Sequence, residues 1–467
     1  MSNPLWGAER CDDLAEKCRR IAALDLAREA MKGLLSISVA TASLTHAAAV
    51  LAQQAPLFTI TDLGSLGGFS DAAAINEGGH VIGRSATPAG DIHGYFWTAE
   101  RGMIDIGTLG GTLSYPLAIN DNDEVVGYSQ IGSGAACLEL PCTHGFLWTT
   151  KTGMIDLGTV DSETVRVVPL SINNRGEVVG YYHTFSQGRG VGHGIERPFL
   201  WTAKTGMIDL GSLPGDIAGA AAAINRKGEV IGSSYNCSVG TSCRGQFPHP
   251  VLWTVNKVRV GLGTLGGESA FASAINDRGE ITGGSETAIG PDGTSGNHAF
   301  LWTARSGMRD LGALGAQNSN ANAINDRGEI VGTYWSDTGP VSETRAFLWT
   351  QYRGMIDLGT FGGAFTYPAA INDRGEVVGS SNRAEFVDGI PVNRAFYWRL
   401  QAGMTDLGTL VNGRYSDAVG INRSGQILGD SDRGEGNFQH AVLWTPRQMV
   451  DDLKTAINHG PAGSEDK

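Results

Sequence analysis

Charge is scarce in this chain of 467 residues: Asp, Glu, Lys and Arg together supply 18% of it, below the quarter usual in globular proteins. Basic charge is scarcer still. Thirty-five Lys and Arg face 48 Asp and Glu, a net charge of −13, which works against the basic stripe that nucleic-acid binding needs to displace counterions from phosphates. Solubility accounts for the acidic balance. Long apolar runs are missing after the first fifty residues, so no permanent membrane span is expected in the mature chain. Nor does an amphipathic helical period survive for more than a turn in the repeating region, which disfavours helical solenoids. No segment carries a catalytic, cofactor or metal motif, so no catalytic residue, cofactor or metal is assigned. Glycine, by contrast, is abundant at 67 residues, about twice the usual share. That composition favours turns and short strands, and the expected class is all-β.

Residues 1–30 read as a polar N-terminal extension. From Met31, itself a candidate start, a short basic opening leads into an apolar, small-residue stretch ending at Val50-Leu51-Ala52. Residues 31–52 therefore read as a signal peptide cleaved near Ala52, and the expected location is extracellular or periplasmic. Beyond Cys11 and Cys18 the cysteines come in two local pairs, Cys137 with Cys142 and Cys237 with Cys243. Each pair sits at the same place in its repeat, where a disulfide would pin a long loop in an oxidising compartment. Zinc is the weaker reading, since no His or further Cys clusters beside either pair.

Residues 57–453 are built on a repeat. Ile-Asn recurs with its Asn at 76, 120, 173, 225, 276, 325, 372 and 422, and tryptophans keep the same beat at 97, 148, 201, 253, 302, 349, 398 and 444. A period near fifty residues with four short strand candidates per unit is the pattern of a propeller blade. In one unit the candidates are Ser273–Asn276, Gly279–Gly283, His298–Trp302 and Gly307–Leu311. Turns such as Asn276-Asp277-Arg278-Gly279 carry the residues a tight hairpin needs. The small-residue Ile-Asn strand is placed innermost, the aromatic strand between sheets and the Met-x-Asp-Leu strand at the rim. The expected fold is an eight-bladed β-propeller. Nine rim segments for eight inner strands, Phe58–Leu63 first and Met449–Leu453 last, argue for closure by strands from both chain ends. Residues 454–467 form a polar tail.

His298-Ala299-Phe300 and looser versions such as His144-Gly145-Phe146, Arg345-Ala346-Phe347 and His440-Ala441-Val442 resemble the HAF repeat of probable extracellular bacterial proteins. Asp-Leu-Gly-Thr-Leu-Gly-Gly and Ile-Asn-Asp-x-Gly accompany them. The resemblance implies export and brings no established activity.

The motif His or Arg stands once per repeat, too far from its copies to share a metal, and a structural hydrogen bond or cation–aromatic contact is expected. The rim Asp, as at Asp105, Asp156 and Asp310, reads as a turn cap, with Gly261 replacing it once. Asp121-Asn122-Asp123-Glu124 is the one acid-rich turn, short of a calcium loop. Function is expected where the repeats differ: in second-to-third-strand loops with Tyr128, Tyr181, Tyr182, Tyr235 and Trp335, and five residues before each motif Asn. There stand Asp71, Tyr115, Val168, Ala220, Phe271, Asn320, Tyr367 and Asp417. This mouth suits a carbohydrate or peptide ligand, although tyrosines beside a narrow axis can equally plug it. The expected function is a binding or interaction module; the alternative is a carbohydrate-active hydrolase or lyase with Asp71 and Asp417 as acid and base. Oligomeric state is not legible.

Overall fold

The computed structural model describes residues 57–132, 143–161, 164–184, 195–236, 248–290, 293–336, 343–387, 389–434 and 439–447. The chain divides into two compact units, Met1–Leu57 and Phe58–Lys467, and only the second contains described secondary structure. The expected signal peptide, all six cysteines and the tail lie outside the described residues.

The all-β expectation holds. Among the described residues thirty-two strands lie between Phe58 and Pro446, arranged in sheets of four, twelve, four, four and eight strands. Within them one motif recurs: an inner strand ending in Ile, a second strand opening on a β-branched pair and Gly, a third carrying the tryptophan, and a short fourth ending in Asp. Ser70–Ile75, Val81–Ala86, Ile92–Thr98 and Gly102–Asp105 are one such antiparallel run. The twelve- and eight-stranded sheets are such runs joined at single parallel pairs, Ile92 with Leu113, Arg166 with Thr143 and Thr344 with Phe365.

Third-strand aromatics pack between sheets, as their bulk requires. Phe146, Phe199, Phe300, Phe347 and Phe396 are fully buried, each removal from water stabilising by roughly 1.5–3 kcal/mol. The clusters join neighbouring repeats: Ile82 and Phe96 pack with Val125, Phe146 and Trp148. The first repeat packs on the last in the same way, Val81, Tyr95 and Trp97 meeting Leu428, Ala441 and Leu443. Phe58–Asp62 pairs with Gln439–Pro446 and supplies the fourth strand of the last sheet. The N-terminal segment therefore completes the last sheet; residues 449–453, the other candidate for that place, lie outside the described residues.

The strands run longer than the sequence pattern indicated. Ile281–Thr287 continues four residues beyond Gly283 because it stays paired with Gly266–Ile275. Tyr128, Tyr181, Tyr182, Tyr235 and Trp335, expected in loops, stand on second strands for the same reason.

Candidate binding site

The polar groups that repeat are spent on one another. Each motif Asn is buried and its Nδ2 donates to the carbonyl of the next: Asn76 to Asn120, then on through 173, 225, 276, 325, 372 and 422, and from Asn422 back to Asn76 at 3.2 Å. In most turns the same amide also donates to the residue four positions on, as Asn372 does to Glu376 at 2.7 Å. Its Oδ1 accepts the N–H groups of Arg374 and Glu376. The acidic turn uses its carboxylates singly: Asp123 accepts from Asn76 and His80, Asp121 from Asn174.

The motif His or Arg and the rim Asp twelve residues later form one device. His144 Nδ1 lies 2.7 Å from Asp156, His298 pairs with Asp310, and Arg345 donates to Asp357. The other Asp oxygen accepts a glycine N–H two residues on, as from Gly158 and Gly312. Where Gly261 removes the acid, His249 turns to Asp216. Burial works to raise Asp156, but the bonds from His144 and Gly158 outweigh it and hold the carboxyl below its ordinary range; the same bond raises His144.

Among the described strands, side chains that differ between repeats meet at one register position. Inner strands carry a bulge two residues before the Ile, as between Ala72 and Ala74 or Ala272 and Ala274. Opposite it stands the constant second-strand glycine. A Cβ at Gly83, Gly283 or Gly429 would overlap the carbonyl oxygen of Asp71, Phe271 or Asp417, so the bulge and the glycine require each other. They set two variable side chains face to face: Asp71 with Arg84, Tyr115 with Tyr128, Val168 with Tyr181, Asn320 with Thr333, Tyr367 with Ser380 and Asp417 with Asp430.

Around the junction of last and first repeats these pairs become an arc. Burial, and after it the charges of Asp71 and Asp417, push the Asp430 carboxyl up to about 7 against the Ala72 N–H that it accepts at 2.9 Å. Burial also raises Asp417, against bonds from Ser380 and Asn393. Asp71 accepts from Arg84 Nε at 2.6 Å. The arc continues as ring contacts: Arg84 over Tyr115 at 4.9 Å, Tyr115 stacked on Tyr128 at 5.1 Å, and Arg166 over Tyr128 at 5.5 Å. Burial and then the neighbouring Tyr115 raise the Tyr128 hydroxyl. Among the described residues no group of three metal-ligating side chains occurs.

The sequence-selected residues divide into three groups. Asp71, Asp417 and Tyr115 belong to the arc, but Tyr115 shares its ring with Tyr128 and Arg84, so it offers a hydroxyl more than a free face. Phe271 and Tyr367 are more open, 36% and 47% exposed, with one face of Tyr367 stacked on Phe365. Asn320 accepts from Asn297, in the space that Gly284 leaves open. Trp335 stands two residues further along its strand than Thr333, opposite Asn318. Tyr182 is corrected: it is 2% exposed, its ring packed with Val167, Val178 and Phe199, and its hydroxyl donates to Asp209 at the edge of that cluster. Asp430 and Arg166 went unnoticed; the residue after each second-strand glycine was the signal for Asp430. At the other end of the inner strands the Ile-Asn turns surround a cavity of about 350 Å³ lined by repeating residues, Ile75, Asn76 and Glu77 with their counterparts.

No family model and no curated protein matches the chain. Among solved structures it is similar to the acylaminoacyl peptidase of Pyrococcus horikoshii, at TM-score 0.43 and 9% identity over 79% of this chain and 59% of that one. An ulvan lyase, a polysaccharide lyase, is similar at TM-score 0.42 and 11% identity, over 85% of this chain and 99% of that one. TolB from Acinetobacter baumannii gives TM-score 0.35 and 10% identity, over 84% of this chain and 81% of that one. At this level of likeness neither chemistry nor ligand carries over. Among the described residues no helix is long and apolar enough to cross a membrane.

Proposed function

We propose that the strands form an eight-bladed, closed propeller of the HAF-repeat kind, exported from the cytoplasm, that works as a binding module at the mouth where its inner strands begin. The Asn bonds that return from Asn422 to Asn76 and the pairing of Phe58–Asp62 with Gln439–Pro446 support the closed form. One observation carries the functional reading. Polar groups that repeat satisfy each other, while non-repeating Asp, Arg and Tyr side chains converge at a single register position, where all but the buried Asp430 remain partly accessible and chemically mixed. A carbohydrate or peptide array with the purified protein tests it. Binding weakened by Tyr115→Ala and Tyr367→Ala is expected; a silent array, or signals indifferent to both changes, would refute it.

A second reading, a hydrolase or lyase, is favoured by Asp430, a carboxyl that burial pushes up to about 7, standing near Asp71, which accepts from Arg84 Nε. A carboxyl raised toward neutrality is what general acid catalysis uses. Loss of turnover on a glycan in Asp430→Asn would support it, and unchanged turnover would remove it.

A further inference from the structure

Arg166 stands apart from the other arginines near the arc. Arg84 is held by Asp71, Arg197 by Asp209, Arg383 and Arg394 by Asp406. Arg166 has no carboxylate partner among the described residues, and its Nε is buried without a hydrogen bond. Its cross-strand neighbour at the parallel pair is Thr143, which is 8% exposed and whose Oγ1 likewise has no partner. Donors buried at register-paired positions without a partner are destabilising, and an acceptor that reached them would remove that cost. Around them lie the Tyr128 ring, the Tyr181 ring against His183, and beyond Tyr128 the Tyr115 and Arg84 contacts.

We infer that Arg166 and Thr143 form an anion subsite, and that it takes the carboxylate or sulfate of an acidic polysaccharide lying along the arc. The inference rests on the binding reading above and names its ligand class. A guanidinium with a hydroxyl beside it matches a planar carboxylate or a sulfate. From there to Asp71 and Asp417 the arc offers phenol hydroxyls, a second guanidinium and carboxylates. That mixture suits the dense hydroxyl groups of a sugar chain; the side chains of an acidic peptide would need apolar recesses as well. Exposed rings at Phe271 and Tyr367 supply flat apolar surface elsewhere at the same register. With a net charge of −13 the protein as a whole repels polyanions, so recognition depends on this local contact and not on long-range steering.

Affinity electrophoresis of the full chain through gels containing polygalacturonate, alginate, heparin, carboxyl-reduced polygalacturonate or polyglutamate decides it. Retardation by at least one acidic polysaccharide and not by the reduced polymer is expected. Arg166→Gln should weaken that binding tenfold or more and Thr143→Val severalfold, with an unchanged circular dichroism spectrum, while Arg309→Ala, distant in sequence and set over Trp349, should bind as before. Retardation by none of the acidic polysaccharides, or full binding in Arg166→Gln, would overturn the inference, as would stronger binding to polyglutamate, which would point to an acidic peptide. Equal binding of the reduced polymer that still depends on Tyr115 and Tyr367 would overturn the anion subsite and leave the binding reading standing.

Discussion

Replacing Asp430 by Asn should make the protein more stable at alkaline pH and flatten its pH dependence. In the unfolded chain an Asp carboxyl titrates near 3.9; in the folded protein burial and the charges of Asp71 and Asp417 push Asp430 to about 7. The folded state therefore holds the proton more tightly. The stability linked to that proton is present in full below the unfolded value and is lost as pH rises through 7. Three pH units at 1.36 kcal/mol each amount to about 4 kcal/mol. Asn keeps the oxygen that accepts the Ala72 N–H but cannot ionise, so at pH 8.5 the variant should exceed the parent by up to about 4 kcal/mol, and at pH 4 by little. Guanidinium denaturation of the full chain at pH 4, 6 and 8.5 measures this as a shift in midpoint at constant slope. If parent and variant lose the same stability between pH 4 and 8.5, Asp430 is not the titrating group and the reasoning fails.

Three further changes probe the scaffold. Gly283→Ala drives a methyl into the carbonyl of Phe271 and should cost about 1–3 kcal/mol by denaturant midpoint; no loss would remove the link between glycine and bulge. Asn372→Ala leaves the N–H groups of Arg374 and Glu376 and the Asn422 carbonyl without their side-chain partner, and a destabilisation of about 1–3 kcal/mol is expected. His144→Ala breaks a half-exposed pair with Asp156 and should cost under about 1 kcal/mol at pH 6 after solvent screening. Because the pair raises His144, that small cost should disappear as pH rises past the raised value.

The scaffold was legible because its signals are local and repeat. An Asn at a fixed spacing, a His or Arg twelve residues before an Asp, and one aromatic strand per unit can be counted along the chain, and each proved to be a bonded or buried device. Asp71 and Asp417 could be found the same way, at a constant offset from Asn. Their partners could not. Pairing Asp71 with Arg84 depends on a bulge that shifts the hairpin register by one residue, and no offset along one strand reveals it. Asp430 meets Ala72 across 358 residues of sequence. Tyr182 was misjudged through strand alternation: it and Tyr181 are adjacent, so they point to opposite faces, and only Tyr181 can face the arc. Once the second strand is seen to extend to Thr184, that parity follows.

Packing of the first repeat on the last is what brings Asp430 to Ala72, next to Asp71, and so creates the arc. Thr59 and Thr445 are register partners in the strand pair that joins the ends. The most direct test is to introduce Thr59→Cys with Thr445→Cys, oxidise the folded protein at low concentration and map the cross-links by peptide mass spectrometry. An intramolecular bond between positions 59 and 445, formed without loss of the native spectrum, is the predicted result. Its absence, or a bond found only between separate molecules, would contradict the closed form and the site built on it.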